Sequence, residues 1–437
     1  MNGPFVECPR CGCYHPMTMI TDYHTKALLV AIGQDAASAI ACINHLSPEL
    51  LCFFLAESQK DTIESLVQPQ ITKMPQRWDW IVTQDPENFS KSHQAISKSL
   101  PDILKAWGVH AGELTVDFTS ATPGMAAAVA LACRPFMSKV VQLQQSEGSS
   151  SGTKTLTVDG QLFTLDDSNP WNEEAQYARR EAAQLFNQGS FAAAAKKFRQ
   201  IEGLVSGSLK PLYHALGDVA EGYALWESFH YREAWDKLKT SLKALEMASV
   251  WGGPPGLSSV LDSIKTNSRF LESLVLDPND VKLSIAQDLL AHAKRRAERD
   301  HQIEVAMLTL LRGLEAFAQH QLLKQFKVKT WDVQVEQLPQ NLQEFCRTCL
   351  MDDVDGKFKL APYQQLQTLA GLGDPMGKLF QQDWPKMKTL WDSVYQSVLG
   401  HGFHTTKLER FHQLYTFVLK LTKVDESTLP HFPSMGL

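Results

Sequence analysis

The feature that most constrains this sequence is an apolar strand joined to an apolar helix by a short polar turn, over residues 113–133. Alternating apolar residues up to Phe118 predict a strand, and the uncharged stretch 125–133 predicts a buried helix. The turn between them, 119–124, carries three hydroxyl side chains, and its Pro123 suits the first helical turn, where no N–H is needed. Unpaired backbone N–H groups at a helix start bind phosphate or other anions. The hydroxyls are equally typical of a simple helix cap, so both interpretations stay open.

Further apolar runs alternate with helical patterns along residues 25–168. The runs predict strands over 27–32, 50–55, 78–83 and 139–143, helices over 60–67 and 90–107, and a hairpin of 154–158 with 161–165. This alternation predicts an α/β, Rossmann-like, doubly wound parallel sheet with ligands at the carboxyl ends of its strands. The candidate ligand-binding residues at those ends are Gly33, Gln34, Asp35, Thr119, Ser120, Ala121, Thr122, Pro123 and Gly124.

Composition limits the function classes to which this chain can belong. Its formal net charge of −6 over 437 residues argues against a protein that coats nucleic acid non-specifically. No uninterrupted apolar stretch of about 18 residues is present, and no basic segment with an apolar core begins the sequence, so we expect a cytoplasmic protein that does not contact a membrane. The first predicted strand is not followed by a dinucleotide-binding glycine pattern and the sequence has no P-loop, so neither NAD nor ATP binding is indicated.

Eight cysteines are too few for a disulfide scaffold in a chain of this length, so we expect mostly reduced thiols. Cys8, Cys11 and Cys13, with His15 nearby, supply the ligand types of a tetrahedral zinc site, although so short a segment is cramped for four ligands. The alternative is that residues 1–24 form an N-terminal leader that binds no metal.

Residues 169–275 are predicted to be a helical connector, because a helical pattern repeats there at an offset of 40 residues. The corresponding residues are Phe186, Phe191, Ala194 and Phe198 in the first copy and Trp226, Tyr231, Ala234 and Leu238 in the second. In each copy one aromatic residue ends a helix and another begins the next, as in paired helices of the tetratricopeptide type. Two copies are too few for a free-standing solenoid, so we expect these helices to pack on a neighbour.

Residues 276–437 are predicted to form a helical bundle. Apolar residues at helical spacing predict a long helix over 302–325 and a final pair over 386–399 and 407–423. An earlier helix carries the basic residues Lys294, Arg295, Arg296 and Arg299. Such a run is typical of a solvated face, and RNA contact is the alternative interpretation.

From residue 25 onward, the order of these parts resembles the CRISPR-associated proteins that combine an N-terminal CARF domain with a C-terminal HEPN ribonuclease domain. In that family the CARF domain is a Rossmann-like sensor of cyclic oligoadenylate. The stretch 117–125, DFTSATPGM, is similar to the family's ligand-binding turn, D-x-T-G-G-T-K-x-M. The helices over 298–319 are similar to the first helices of the HEPN domain, and 397–403, SVLGHGF, is similar to the end of the nuclease motif R-N-x-S-x-L-A-H-G-F.

Two departures from the family pattern concern charge. Pro123 stands where the family's turn has Lys, and Val394 and Tyr395 stand where the nuclease motif has Arg and Asn. The resemblance implies that the motif histidine moves protons and that the arginine holds the phosphate. The candidate catalytic residues are therefore His401, His404 and Arg410, the last reaching back from the next helix. Loss of one preorganised transition-state contact costs about 2.7 to 4 kcal/mol, so we expect a weakened nuclease site.

Three functions follow from the resemblance. The first is a metal-independent endoribonuclease for single-stranded RNA, gated by cyclic oligoadenylate and weakened at its active site. The second is a cyclic-oligoadenylate sensor or scaffold whose HEPN domain only transmits. In the third, the sensor turn itself cleaves the ring, with Thr119, Ser120 and Thr122 holding the scissile phosphate. Because such rings have a two-fold axis, the resemblance also implies a homodimer.

Overall fold

The computed structural model describes residues 5–7, 14–16, 25–33, 35–110, 112–145, 155–158, 161–250, 253–276, 280–352 and 354–437. The chain divides into two compact units, one of residues 1–176 with 200–210 and one of residues 177–199 with 211–437. Within the described ranges, no helix is long and apolar enough to cross a membrane. Three of the predictions, the zinc ligands Cys8, Cys11 and Cys13, the ligand contact Gln34 and the turn of the hairpin, lie outside these ranges.

The first unit is built around a seven-stranded sheet. A short antiparallel pair, β1 (Phe5–Glu7) and β2 (Tyr14–Pro16), precedes it in the chain. The strands of the sheet are β3 (Ala27–Ile32), β4 (Leu50–Ala56), β5 (Arg77–Thr83), β6 (Leu114–Ser120), β7 (Met137–Gln145), β8 (Thr155–Val158) and β9 (Gln161–Ser168). Their order is β5-β4-β3-β6-β7-β9-β8, with the first five parallel and the hairpin β8–β9 antiparallel at one edge. This order confirms the predicted doubly wound sheet.

The central strands are buried because helices cover both faces of the sheet. Side chains of a strand alternate between the faces, so Leu29 of β3 belongs to one apolar cluster while Leu28 and Val30 belong to the other. The helices of this unit are α1 (Ala36–Leu46), the single turn α2 (Lys60–Thr62), α3 (Phe89–Trp107) and α4 (Pro123–Ala132). Continuous apolar runs such as β3 and β4 therefore match strands that are buried on both sides.

Two predicted helices of this unit differ from the structure. The regular helix expected over 60–67 is instead one α turn, a π-helical segment Ile63–Val67 and a 3₁₀ turn Gln68–Gln70, since Pro69 has no N–H to continue the α-helical ladder. Helix α4 is apolar but not buried all round, because only one side packs on the sheet and Leu131 is 53% exposed.

The rest of the chain is helical. The connector helices are α5 (Trp171–Asn187), α6 (Phe191–Leu204), α7 (Lys210–Glu227), α8 (Tyr231–Val250) and α9 (Leu257–Val275). The bundle helices are α10 (Leu283–Glu298), α11 (Ile303–Phe326), α12 (Gln340–Cys349), α13 (Pro362–Gly371), α14 (Pro375–Tyr395) and α15 (Leu408–Thr422). Short 3₁₀ turns lie at Val335–Gln337 and Glu426–Thr428.

The 40-residue repeat is visible as two similar helix corners. Gly189 and Phe229 occupy equivalent left-handed positions, with φ of 80° and 62°. In the second corner, Trp226 Nε1 and Tyr231 OH each donate a hydrogen bond of 2.9 Å to Asp288 of α10. The expected packing of these helices on a neighbour is thus confirmed within the second unit.

The basic residues of α10 do not form the predicted solvated face. Arg295 Nε lies 2.7 Å from Glu227 Oε1, and Arg296 Nη2 lies 3.1 Å from Glu227 Oε2. The side chain of Glu227, at the end of α7, is only 7% exposed, so a buried carboxylate holds both arginines in place. Next to them, His292 Nε2 accepts a 3.0 Å hydrogen bond from Arg296 Nε. Burial lowers the pKa of His292 to about 4, against the attraction of the Glu227 carboxylate.

The end of the chain ties the connector to the bundle within the second unit. The Asn187 amide makes two hydrogen bonds with the backbone of Met435, of 2.7 and 3.0 Å. The Phe432 ring packs 4.7 Å from the Tyr223 ring and 4.9 Å from the Trp226 ring. Through these contacts, the part of the connector that belongs to the second unit packs on the C-terminal segment, although sequence patterns separate the connector from the bundle.

Candidate functional site

The first candidate site lies where the winding of the sheet reverses. Strands β3 and β6 are neighbours, and the sheet continues through β4 on one side and β7 on the other. Such a reversal leaves a crevice outside the carboxyl ends of the two strands. Gly33 follows β3 and the turn 121–124 follows β6, so the structure brings these predicted ligand-binding residues together.

Gly33 allows the two strand ends to come close together. Its backbone N–H donates a 2.8 Å hydrogen bond to the Ser120 carbonyl oxygen. A Cβ atom at position 33 would lie 2.4 Å from that same oxygen, which no side chain tolerates. The Gly33 carbonyl oxygen in turn accepts a hydrogen bond from the side chain of Gln59. Gln59, a residue that sequence patterns did not single out, therefore fixes one wall of the crevice.

Asp117 and Thr119 form a buried pair below the turn. The Asp117 carboxylate accepts hydrogen bonds from the Thr119 backbone N–H at 2.9 Å and from its hydroxyl at 2.6 Å. The Thr119 hydroxyl also accepts a 3.0 Å hydrogen bond from the Leu143 N–H of β7. Burial raises the pKa of Asp117, while the hydrogen bonds from Thr119 act in the opposite direction. The Thr119 hydroxyl thus joins β6 to β7 and is not free to meet a ligand.

Thr122 is also committed to the fold. Its hydroxyl accepts a 3.3 Å hydrogen bond from the Met125 N–H, as an N-cap does, and donates to the Pro86 carbonyl oxygen. Gly124 completes this contact, since a Cβ atom there would lie 2.4 Å from the Glu87 carbonyl oxygen. Pro123 occupies the first turn of α4, as expected. The turn is therefore held firmly against the loop that follows β5.

Ser120 carries the third hydroxyl group of the turn, after those of Thr119 and Thr122. Its Oγ atom is buried and has no hydrogen-bond partner within the described residues, and the residue is 8% exposed. Asp35, by contrast, caps α1, because its carboxylate accepts hydrogen bonds from the N–H groups of Ala37 at 2.9 Å and Ser38 at 3.3 Å. Of the predicted polar contacts that the structure describes, Ser120 is thus the one whose side chain has no structural duty.

Two lysines, for which sequence patterns had not predicted a role, follow β4 and β5, the two strands on the side of β3 away from β6. Lys60 follows β4, pairs with Glu57 at 2.7 Å and lies 5.6 Å from the Trp80 ring centroid. Lys91 follows β5 and pairs with Asp85 at 3.4 Å. Both side chains remain at least one-third exposed. In the sequence, the signal for these lysines was their position after predicted strands, on the side of the sheet where the strands have their carboxyl ends and the ligand was expected.

The second candidate site is the loop between α14 and α15, residues 396–407. Helix α14 runs through Pro385 and ends at Tyr395, so the prediction of a helix over 386–399 is wrong in its last turn. Beyond Tyr395, the N–H groups of Gly400 and Gly402 bond to the Ser397 carbonyl oxygen at 2.9 and 3.1 Å and close a tight loop.

Both glycines of this loop are required by close backbone approach. A Cβ atom at Gly400 would lie 2.4 Å from the Val394 carbonyl oxygen, and one at Gly402 would lie 2.1 Å from the Gln396 carbonyl oxygen. The spacing of the Gly-His-Gly sequence is thereby explained, because the flanking glycines fold the chain back and leave His401 at the tip. Ser397, which is fully buried, anchors the base of the loop.

The predicted catalytic residues lie in or just after this loop. His401 is exposed, its N–H donates a 2.7 Å hydrogen bond to the Tyr395 carbonyl oxygen, and its ring stacks on the Tyr395 ring at 6.2 Å between centroids and 15° between planes. His404 is also exposed, and its backbone pairs with Gln396 and Val398 across the loop. Arg410 lies exposed on the first turn of α15, where no described contact joins it to either histidine.

Val394 occupies a core position. It is 1% exposed and belongs to the main apolar cluster of the bundle. A charged side chain at this point of the present backbone would be buried without a partner. Val394, which stands where the motif has arginine, is therefore part of the packing of α14 against the bundle.

The described residues contain no group of three or more His, Cys, Asp or Glu side chains arranged to hold a metal ion.

Two protein-family models match the helical part of the chain. Residues 175–271 match the family described as the Csm6 6H domain, and residues 279–425 match the family described as the Csm6 HEPN domain. No curated protein sequence matches at a significant level.

Three solved structures are similar over different shares of the chain. Enterococcus italicus Csm6 bound to cyclic hexa-2'-fluoro-hexa-dAMP is 12% identical, with 92% of this chain and 96% of that chain covered and a TM-score of 0.55. Can2 from Sulfobacillus thermosulfidooxidans in complex with cyclic tetra-adenylate is 12% identical, with 47% and 68% covered and a TM-score of 0.24. A type III CRISPR defence DNA nuclease activated by cyclic oligoadenylate is 13% identical, with 45% and 34% covered and a TM-score of 0.23. Only the first score indicates a shared fold.

Proposed function

Because the chain belongs to the CRISPR-associated CARF–HEPN family, we propose that it is a type III CRISPR effector that binds cyclic oligoadenylate in its α/β domain and thereby controls its HEPN domain. The observation that carries this proposal is the close approach of Gly33 and the turn after β6 at the winding reversal of the sheet, in a chain whose helical part matches both Csm6 domains. The Enterococcus italicus Csm6 of similar fold is described with a bound cyclic hexanucleotide analogue, which supports the ligand class.

A phosphodiester of the ring would bind at the N-terminus of α4. This helix has ten residues, begins at Pro123 and points its positive dipole end at the crevice. The unpaired Ser120 hydroxyl supplies a donor beside it. Lys60 in α2, after β4, and Lys91 in the first turn of α3, after β5, would add positive charge in place of the lysine that Pro123 replaces. A ring with a two-fold axis would engage two such turns, so the proposed assembly is a homodimer.

The proposed reaction of the HEPN domain is RNA cleavage by the neighbouring 2′-hydroxyl. The 2′-oxygen forms a bond to phosphorus while the bond between phosphorus and the 5′-oxygen breaks, which leaves a 2′,3′-cyclic phosphate and a 5′-hydroxyl. One proton leaves the 2′-hydroxyl and one is added to the 5′-oxygen. His401, exposed at the tip of the loop, is placed to transfer one of these protons, and His404 is the second candidate.

A second candidate function is a sensor or scaffold whose HEPN domain does not cleave RNA. The burial of Val394 favours it, because α14 itself carries no cation at the motif position. Cleavage of the ring at the sensor turn is less well supported. That mechanism needs hydroxyls to align the scissile phosphate, and those of Thr119 and Thr122 are engaged in the fold.

RNA cleavage in the presence of activator separates these functions. Full-length protein is incubated with end-labelled single-stranded RNA and cyclic tetra- or hexa-adenylate, with linear hexa-adenylate as the control, and the rings are analysed for linear products. The proposal predicts cleavage that one ring stimulates and that His401→Ala reduces at least a hundredfold without loss of ring binding. Ring binding without RNA cleavage would establish the scaffold function. Stimulated cleavage that His401→Ala leaves unchanged would exclude His401.

A further inference from the structure

The C-terminal segment, residues 429–437, lies against five helices of the second unit and contains neither helix nor strand. Its two prolines, Pro430 and Pro433, fix their own φ angles at about −65° and favour extended conformations of the residues before them. A segment that is stiff in this way loses little conformational entropy when it docks. The surface that receives it is called the tail groove here and is formed by Asn187, Phe191, Tyr223, Trp226, Asn267 and Arg295.

Every third residue of the C-terminal segment is an apolar anchor. Leu429 and Met435 are 4% and 2% exposed, and the ring of Phe432 lies between them in the sequence and packs into the tail groove. The side chains of His431 and Ser434, by contrast, are exposed. A polyproline II helix has about three residues per turn, so anchors at this spacing share one of its faces. The segment therefore has the residue pattern of a proline-containing peptide that presents one face to a groove.

The tail groove receives Phe432 among aromatic rings. The Phe432 ring centroid lies 4.7 Å from that of Tyr223, 4.9 Å from that of Trp226 and 5.6 Å from that of Phe191. The Arg295 guanidinium lies over the same ring, 3.9 Å from its centroid. Ring–ring and cation–π contacts both require an aromatic side chain at this position. The groove therefore selects an aromatic residue at the centre of its ligand.

Two asparagines of the tail groove bind the backbone of the segment. Asn267, which is 3% exposed, donates a 2.9 Å hydrogen bond from Nδ2 to the His431 carbonyl oxygen. The Asn187 amide accepts from the Met435 N–H at 2.7 Å and donates to the Met435 carbonyl oxygen at 3.0 Å. Contacts of this kind hold the main chain of an extended peptide, while the pockets for its side chains supply specificity.

The C-terminal segment does not fill the space around it. A cavity of about 320 Å³ remains between the segment and helices α10 and α15, lined among others by Lys294, Glu298 and Tyr415. Protein interiors are normally close-packed, with few voids larger than a water molecule. On this side, close packing therefore does not retain the segment in the tail groove.

We propose that the tail groove is a peptide-binding site, that the chain's own residues 429–437 occupy it in cis, and that a separate peptide of the same pattern takes their place. The pattern is an aromatic residue followed by proline, with apolar residues three positions before and after it. Three observations support this ligand class: the aromatic lining around Phe432, the asparagine contacts to the backbone, and the threefold spacing of the anchors.

The test measures binding of a fluorescently labelled peptide of residues 427–437, STLPHFPSMGL, to full-length chains by fluorescence anisotropy. In the double variant Phe432→Ala with Met435→Ala, the chain's own segment loses two anchors while the groove keeps its residues. We expect this variant to bind the peptide roughly tenfold or more tightly than the parent chain or the control Ser434→Ala, whose changed side chain is exposed. The same peptide with Phe432→Ala should bind roughly tenfold more weakly. Equal binding of the peptide to the double variant and the parent, or equal binding of the two peptides, would overturn the inference.

A second experiment leaves both the groove and the segment unchanged, so it decides the matter if the double variant fails to fold. A specific protease site is inserted between Ser427 and Thr428, which are both exposed, and the full-length chain is cleaved after it has folded. The cleaved chain is then incubated with an excess of the labelled peptide. We expect the peptide to replace the cut segment and to elute with the chain in gel filtration. Retention of the original segment, or its release without binding of the peptide, would contradict the proposal.

Discussion

At the scale of single residues, the three hydroxyl groups of the turn after β6 differ in whether they have a hydrogen-bond partner. Thr119 and Thr122 hold the turn against β7 and the loop after β5, whereas the Ser120 hydroxyl is buried without a partner. A buried polar group without a hydrogen bond costs free energy, so each such group in a folded protein calls for an explanation. Of the two interpretations that the sequence pattern had left open, helix capping is observed at Thr122, and ligand binding by Ser120 is part of the proposed function.

Substitution of these hydroxyls should separate stability from binding. Ser120→Ala removes a group without a partner, so we expect the free energy of unfolding to change by less than about 0.5 kcal/mol while ring affinity falls. Thr122→Ala removes a helix cap and should cost about 1 to 2 kcal/mol. Chemical denaturation combined with equilibrium binding measures both quantities. If Ser120→Ala binds the ring as tightly as the parent chain, Ser120 is not a ligand contact.

His292 should make stability depend on pH. Its pKa is about 4 in the folded chain against an ordinary 6.5, so as pH falls the unfolded chain binds this proton first. The free energy of unfolding should therefore decrease between pH 6.5 and pH 4, by about 3 kcal/mol at the lower end. His292→Gln should remove this part of the pH dependence, and the exposed residue His404, changed to Gln, is the control. Parallel pH profiles for the parent and His292→Gln would contradict the burial of a neutral imidazole.

At the scale of elements, sequence patterns located strands and helices well and their ends less well. The sensor turn was predictable because strand and helix periodicities meet there, within twenty residues of each other. The end of α14 was not, because it depends on the close approach of Gly400 and Gly402 to carbonyl oxygens of the preceding residues. Periodicity reports which residues face a core, and it carries no information on such backbone contacts.

The Gly402 contact gives a direct test of the loop. Gly402→Ala would place a Cβ atom 2.1 Å from the Gln396 carbonyl oxygen, so the loop must shift. We expect a cost of about 1 to 3 kcal/mol, together with faster amide hydrogen exchange over 396–404. Gly436→Ala is the control in the same unit, since no heavy atom lies within 4 Å of the added Cβ. Unchanged exchange in Gly402→Ala would mean that the loop is not held as described.

The buried arginine network of α10 could not have been predicted from the sequence. Arg295 and Arg296 meet Glu227, which lies 68 and 69 positions earlier. A basic run on one helix is compatible with solvent, RNA or a distant carboxylate, and only the tertiary structure selects among them.

At the scale of the whole molecule, the chain consists of two compact units. The first contains the sheet and the proposed ring-binding turn, and the second contains the stretch that matches the Csm6 HEPN domain and most of the stretch that matches the Csm6 6H domain. Within the second unit, the chain end packs the connector helices against the bundle through Phe432 and Met435.

Calorimetric titration of the full-length protein with cyclic tetra- and hexa-adenylate tests the central claim most directly. The account predicts saturable binding of one ring size, with one ring per two chains, and weaker binding when Gly33→Ala separates the ends of β3 and β6. Linear hexa-adenylate should bind more weakly, since its free ends cannot engage two turns in the same way. If neither ring binds, or if Gly33→Ala binds as tightly as the parent chain, the crevice between β3 and β6 is not the sensor site.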